Sequence, residues 1–294
     1  MMQPIPDSSV AAGPMTVVPA LTPERAGADT ARPIGAPLPL AVGAALFISC
    51  ALIAALRQRA WEYPVIRVMN AYADHSVLLD RLMHALTTRD LLQGVTFISV
   101  LWYLWFSTDN PSDRAGLVTG IVAASCAGIV SRVLQLVLPT HLRPLHTSAL
   151  GFVLPLGVTP DALNHFNSFP SDHGAVFFAL SFVIYRMQPR LGVIAFAWAT
   201  VLDVARVYEG YHFPSDIVGS IGLGLVMVIL FDSRVIHQAA RRVIAWEPVR
   251  RAPFYMLAFL LTYQVATLFD DVRELGRGFA RAALHKDIFS EPDR

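Results

Sequence analysis

Residues 191–231 read LGVIAFAWATVLDVARVYEGYHFPSDIVGSIGLGLVMVILF. Two apolar runs, 191–207 and 217–231, flank a short polar turn, 208–215. Each run approaches the ~20 residues that carry a helix across the hydrocarbon of a bilayer. The rest of the composition agrees. The chain has 294 residues, 54% hydrophobic and only 15% charged, with mean hydropathy +0.50, whereas soluble domains carry about 25% charged residues.

Four more runs lie upstream, at 38–56, 91–107, 115–138 and 174–187. The last is short as apolar sequence, and its helix is expected to begin near Ser171. The pattern predicts an all-α membrane protein, a six-helix bundle forming one domain over 38–232. A seventh run, 254–269, is short and contains Gln264; it either spans or lies in the interface, following a basic linker within 233–294. Residues 1–37 are rich in Pro, Ala and Gly without apolar periodicity and read as a disordered tail. A cleavable signal peptide would place its apolar core nearer Met1, so 38–56 reads as an uncleaved anchor. Segment 57–90 mixes charge with Val65, Val68, Met69, Leu78, Leu79 and Leu82 at amphipathic spacing, which predicts helices on the membrane surface.

The formal net charge of +1 and the scattered Arg residues give nothing to track a nucleic-acid backbone. Cys50 and Cys126 fall inside apolar runs and read as small core residues rather than a disulfide or metal pattern. There is no His-Glu-x-x-His spacing and no carboxylate cluster, so neither metal nor cofactor is expected. Trp102, Trp105 and Trp198 read as packing or interface anchors. Arg186 and Arg190 share one turn, and Arg234, Arg241, Arg242, Arg250 and Arg251 follow the sixth run. Six spans put these on one side, which the positive-inside rule makes cytoplasmic. The opposite, outer side then carries 139–170 and the turn 208–215. The five Arg of 57–90 run against this orientation, but long segments obey the rule poorly.

Three polar groups fall at span ends on that outer side. Arg143-Pro144 follows the third run, Pro170-Ser171-Asp172-His173 opens the fourth, and Arg206, His212 and Asp216 bridge the fifth and sixth. Phosphoryl transfer needs donors for three equatorial oxygens. Arg143 and Arg206 supply planar two-pronged donors, and the N–H groups near Ser171, Asp172 and His173 at a helix start form an anion cradle. Neutral His212 can attack phosphorus, with Asp216 holding its other ring nitrogen. His173 can protonate the leaving oxygen, help of a kind worth ~10²–10⁴-fold.

These residues resemble the type 2 phosphatidic acid phosphatase superfamily, which also includes bacterial undecaprenyl-pyrophosphate phosphatases, glucose-6-phosphatases and vanadium haloperoxidases. The family's Pro-Ser-x-His motif matches Pro170, Ser171 and His173; its Arg-x5-His-x3-Asp motif matches Arg206, His212 and Asp216; its Arg-Pro matches Arg143 and Pro144. The resemblance covers 38–231 and implies a His212 nucleophile, a His173 acid, phosphate held by the Arg residues, a six-helix core with the site at the outer face, and a polyprenyl diphosphate or phosphatidate-like substrate entering sideways from the bilayer. Two alternatives accompany it: a phosphotransferase of the same superfamily passing the phosphoryl group to another acceptor, and a transporter or scaffold without chemistry.

The sequence also departs from the family. The Lys that stands seven residues before the first-motif Arg is Leu136 here; Arg132, one helical turn earlier, is the substitute expected beside phosphate, with Gln135 next to it. The position often filled by Gly in the second motif is Asp172, a carboxylate that must turn away from phosphate or carry a proton. Taken singly, the same residues have plainer readings. Ser171 is an ordinary N-cap, Asp216 an ordinary first-turn acid after Pro214, and Arg206 a snorkelling side chain. His141, His146, His165, Asn164 and Asn167 read as solvated loop, and His75, His84, His237 and His285 as surface. Asp203, three residues before Arg206 on one helix face, is expected to hold that guanidinium.

Overall fold

The computed structural model describes residues 37–56, 59–138, 142–164, 166–270 and 275. The expected disordered tail, Pro37 apart, and His141, His165 and His285 lie outside the described residues. Among those described, regular structure is helical throughout: α1 (Pro37–Ala55), α2 (Tyr63–Asn70), α3 (Val77–Thr88), α4 (Gly94–Phe106), α5 (Pro111–Val137), α6 (Asp172–Met187), α7 (Pro189–Tyr208), α8 (Pro214–Phe231), α9 (Arg234–Ile244) and α10 (Arg251–Ala266). Proline opens α5, α7 and α8, where its fixed φ and missing N–H cost nothing. Asn110 caps α5 by accepting from the Ser112 N–H at 2.9 Å, and Ser171 caps α6 by accepting from Gly174 at 3.1 Å.

Each of the six expected runs is a helix. α1, α5, α7 and α8 are long and apolar enough to cross a membrane, whereas α4 has 13 residues and α6 has 16. α6 is the centre of the bundle. It packs against α5, α7 and α8 and buries Val176, Phe177, Phe178, Leu180 and Ile184. α1 lies along α8 in the antiparallel sense, Gly43 meeting Gly222 and Cys50 meeting Gly219. The ends of α1, α5 and α7 and the starts of α6 and α8 therefore share one face. The other face gathers the Arg-bearing turns: Arg186 meets Asp232 at 3.1 Å, and Arg241 donates to Ser112 at 2.8 Å.

The segment expected on the membrane surface has a second allegiance. α2 and α3 turn Ile66, Asn70, Asp80 and Leu86 into the protein and leave Val65, Val68, Tyr72, Leu78 and Leu82 exposed. Asp80 accepts from Tyr208 Oη, and Asn70 is tied to Val153 through both its amide oxygen and nitrogen. The segment thus straps the face where α7 ends. Two histidines assigned to the surface are partly buried and paired, His84 with Glu209 at 2.9 Å and His237 with Asp232 at 2.8 Å. Glu209 reaches His84 by packing across 125 residues, whereas Asp232 lies five residues before His237, at the start of α9. Cys50 is buried, and Cys126 borders an apolar cavity of about 410 Å³ between α4, α5 and α10, remote from the polar motifs.

α10 is a partner of α4. Trp105 donates to Tyr255 Oη at 3.2 Å near one end, Trp102 to Thr262 Oγ1 at 3.2 Å in the middle, and Gly94 touches Ala266 at the other. In hydrocarbon, association of helices rests on such close approach and on interhelical hydrogen bonds. A Cβ on Gly94 would fall 2.0 Å from the Ala266 carbonyl oxygen, and backbone cannot step aside as a side chain can. Gly94→Ala is therefore expected to cost about 1–3 kcal/mol, read as a lowered thermal midpoint in detergent. An unchanged midpoint would mean that α10 is not seated on α4.

Candidate active site

The three polar groups converge where α5 and α7 end and α6 and α8 begin. The loop leaving α5 returns at 167–171 and is laced to the helix it left: Gln135 and Ser131 both donate to the Pro170 carbonyl, at 2.6 and 3.1 Å, and the Asn167 amide donates to the Leu138 carbonyl at 2.9 Å. Arg143, 2% exposed, crosses this loop and donates to the Asn167 carbonyl at 3.0 Å and the Tyr211 carbonyl at 2.6 Å. Its Nε is buried without a protein partner among the described residues. Burial lowers its pKa to about 10, still well above neutrality, so the guanidinium keeps its charge.

Arg206, in the last turn of α7, donates to Gln93 Oε1 at 2.7 Å, and its Nε is also buried without a partner among the described residues. The chain then reverses at Gly210, whose φ of +74° is left-handed backbone and whose missing Cβ leaves room for Phe152 and Leu145. That reversal delivers His212 to the site, 2% exposed. Its Nδ1 lies 2.8 Å from the Ser168 carbonyl, which can only accept, so Nδ1 carries the proton and Nε2 is left with its lone pair. Burial pushes the His212 pKa below its ordinary value, which favours the neutral ring.

Asp216 Oδ2 sits 3.7 Å from His212 Nδ1, too long for a hydrogen bond. Its Oδ2 accepts from the Phe213 N–H at 2.8 Å and its Oδ1 from Arg59 at 2.8 Å. The expected direct grip of Asp216 on the ring is thus a weaker contact, and the Ser168 carbonyl makes the bond. The reason is that Asp216 is spent on the start of its own helix and on Arg59.

At α6, Ser171 is the N-cap and its hydroxyl donates to Asp203 Oδ1 at 3.3 Å. Asp172 turns its two oxygens apart, one to His173 Nδ1 at 3.0 Å and the other to Arg132. Arg132 also donates to Gln135 at 3.2 Å and lies over the Phe166 ring. It lies beside the second motif, with its guanidinium engaged by Asp172. The expectation for Asp203 needs correction. Among the described residues it makes no ion pair with Arg206; it holds Ser171, and Gln93 holds Arg206. Residues three apart share a helix face, and Asp203 is still the carboxylate acting most strongly on the Arg206 charge, but the two are neighbours without a direct bond.

Several participants were missed. Arg59 and Glu62 lay in a segment read as surface, yet both are buried, and Glu62 accepts from the Ser215 N–H at 2.7 Å and Ser215 Oγ at 2.9 Å. Burial raises the Glu62 pKa. Asn167, read as solvated loop, is 8% exposed. Gln93, Asn167 and Ser168 carried no signal, because an amide or a backbone carbonyl has no motif. The residues brought together can bind an anion with two guanidiniums, present an unprotonated imidazole nitrogen to it, and place a second, carboxylate-backed imidazole nearby. No group of three or more His, Cys, Asp or Glu able to hold a metal ion occurs among the described residues.

Residues 138–238, which contain these motifs but begin after Arg132, match the family profile described as the PAP2 superfamily. Undecaprenyl-diphosphatase BcrC of Bacillus subtilis (strain 168) is 24% identical over 170 residues, 58% of this chain and 82% of that protein. The putative undecaprenyl-diphosphatase YbjG of Escherichia coli (strain K12) is 31% identical over 157 residues, 51% of this chain and 70% of that protein. A crystal structure of a transmembrane PAP2 type phosphatidylglycerolphosphate phosphatase from Bacillus subtilis superposes with a TM-score of 0.47 at 19% identity, over 66% of this chain and 93% of that one, an overlap too loose to argue from.

The Gln93 contact yields a direct test. Gln93→Leu leaves a buried guanidinium short of an acceptor, a loss worth about 1–3 kcal/mol or more for a charged group. A lower thermal midpoint in detergent is expected, with partial recovery when orthovanadate supplies an anion for Arg206. A midpoint equal to that of the parent would mean that Gln93 does not restrain Arg206.

Proposed function

The chain belongs to the PAP2 superfamily and is a membrane phosphatase; from that premise we propose that it hydrolyses a lipid diphosphate or phosphate through a phosphohistidine on His212. The observation that carries the reading is the His212 ring, fixed by Nδ1–H donation to Ser168 so that Nε2 keeps its lone pair, at the end of the bundle that also holds the buried Arg143 and Arg206. In the first step Nε2 bonds to the terminal phosphorus and the bond to the leaving oxygen breaks, while His173 gives that oxygen its proton. Arg143 and Arg206 take the equatorial oxygens with donors that include the two Nε–H groups now unspent, and the N–H groups opening α6 add to them. The ring becomes cationic as the bond forms, and Asp216 and the Ser168 carbonyl face that charge. In the second step water attacks phosphorus, His173 accepts its proton, and the P–N bond breaks to release inorganic phosphate.

Asp172 has its place in this scheme. It holds His173 by Nδ1 so that Nε2 faces the leaving oxygen, and Arg132 offsets its charge, so the carboxylate is turned from the phosphate. Asp203 holds the Ser171 hydroxyl at the mouth of α6. The Arg pair does the charge-neutralising work that a divalent ion does elsewhere, so metal-independent turnover is part of the reading. The relatives' printed names support an undecaprenyl-type diphosphate as substrate, reaching the site from the bilayer. We further read α1 and α4 to α8 as six spans and α10, which runs the depth of α4, as a seventh. The Arg-bearing turns beside α9 are assigned to the cytoplasmic side, and the site to the outer face of the inner membrane.

His212→Ala is expected to abolish both phosphate release and the acid-labile phosphoenzyme trapped from labelled substrate, while His173→Ala retains a trapped species and loses ~10²–10⁴-fold in rate. Turnover surviving in folded His212→Ala would sink the mechanism. Arg132→Ala removes a charged partner of Asp172; such hydrogen bonds are worth about 1.5–3 kcal/mol, or ~10–100-fold in kcat. A folded Arg132→Ala protein with parental kcat would assign Arg132 to packing on Phe166 alone.

A further inference from the structure

Arg59 stands in the connection between α1 and α2, outside all three motifs, and is 4% exposed. Its side chain donates to Asp216 Oδ1 at 2.8 Å and lies over the Phe213 ring, 4.6 Å from the centroid. Its Nε and second terminal nitrogen have no other partner among the described residues. A buried cation with donors unspent is costly, and packing alone does not explain its retention, since Phe213 would accept an apolar neighbour. We propose that Arg59 is a positioning residue for the nucleophile: by taking Oδ1 of Asp216 it turns Oδ2 toward the His212 ring, and it stops that carboxylate from drawing a proton onto the ring before substrate arrives.

The inference rests on His212 being the nucleophile. Asp216 is fully buried and 3.7 Å from His212 Nδ1. An uncompensated carboxylate at that distance in a dry site would stabilise imidazolium strongly, and imidazolium has no lone pair with which to attack phosphorus. Arg59 supplies the compensating charge from the side away from the ring, through the second oxygen. The other charged groups around the pair cannot replace it. Arg143, from the loop after α5, opposes charge on His212 with its own, but its bonds go to the Asn167 and Tyr211 carbonyls and not to Asp216; Asp172 of α6 favours that charge, and Glu62 of the strap adds negative charge beside Asp216. When Nε2 bonds to phosphorus, the ring becomes cationic in any case, and Oδ2 is already in place to meet it. Arg59 thus withholds the effect of Asp216 from the resting ring and leaves it available to the intermediate.

The test compares pH profiles of kcat/KM for phosphate release from farnesyl diphosphate by full-length Arg59→Gln, Arg59→Lys and parent enzyme in detergent. Glutamine can still bond to Oδ1 but carries no charge. The acid limb of Arg59→Gln is expected to move up by on the order of one pH unit, so that kcat/KM falls about 10-fold below the limb and returns toward the parent value above it. KM should hardly change, because Arg59 does not touch the phosphate site. Arg59→Lys, which keeps the charge, should keep the parental limb. A folded Arg59→Gln enzyme with the parental limb overturns the proposal. So does a limb in Arg59→Lys displaced upward by a full unit, which also keeps the question decidable if the Gln variant does not fold. Failure of the nucleophile assignment shows separately, as turnover surviving in His212→Ala.

Discussion

Irregular backbone placed among spanning helices must find all its hydrogen bonds within the protein, because hydrocarbon offers none. Residues 167–171 are such a stretch, and their carbonyls are answered almost one by one by side chains: Asn167 by Arg143, Ser168 by His212, Pro170 by Ser131 and Gln135, Ser171 by Ser220. Two of those donors are the proposed phosphate ligand and the proposed nucleophile. Satisfying the backbone and aiming the site are therefore one requirement. The Ser168 carbonyl fixes the His212 tautomer, and the Pro170 carbonyl fixes where α6 can begin, which in turn places Asp172 and His173.

The charged groups follow a repeated arrangement. Each histidine has a carboxylate beside Nδ1, and each carboxylate has its other oxygen on an arginine: Arg59, Asp216 and His212 in one set, Arg132, Asp172 and His173 in the other. Buried charges are tolerated when paired and hydrogen-bonded, so each set enters the protein close to neutral. Arg143 and Arg206 are different. Their bonds run to carbonyl and amide oxygens, and carboxylates act on their charge only from a distance, so each keeps an Nε–H donor for the proposed anion.

The sequence disclosed what is local. The bilayer-length runs became helices because apolar length alone specifies them, and the spacing from Arg206 through His212 to Asp216 is readable because one turn and one helix start contain it. Asp172 looked repulsive when read alone; its acceptable setting depends on Arg132, forty residues away. Arg59 and Gln93 reach their partners across 157 and 113 residues, separations over which no spacing rule operates. Asp203 and Arg206 are charge neighbours, as helix spacing suggests, but spacing could not say that their hydrogen bonds go instead to Ser171 and Gln93.

The shortness of α6 has a consequence for the surrounding lipid. Sixteen residues make a helix about 24 Å long at 1.5 Å per residue, less than the ~30 Å of hydrocarbon in a typical bilayer. Read as a span, α6 sets His173, the proposed acid, below the plane where headgroups ordinarily rest, among longer neighbours. Either the leaflet thins around the protein or the substrate's diphosphate descends, and each ångström of such mismatch costs a fraction of a kcal/mol. Acyl-chain length in the host membrane then becomes a determinant of turnover, acting through the depth to which a charged headgroup must be drawn.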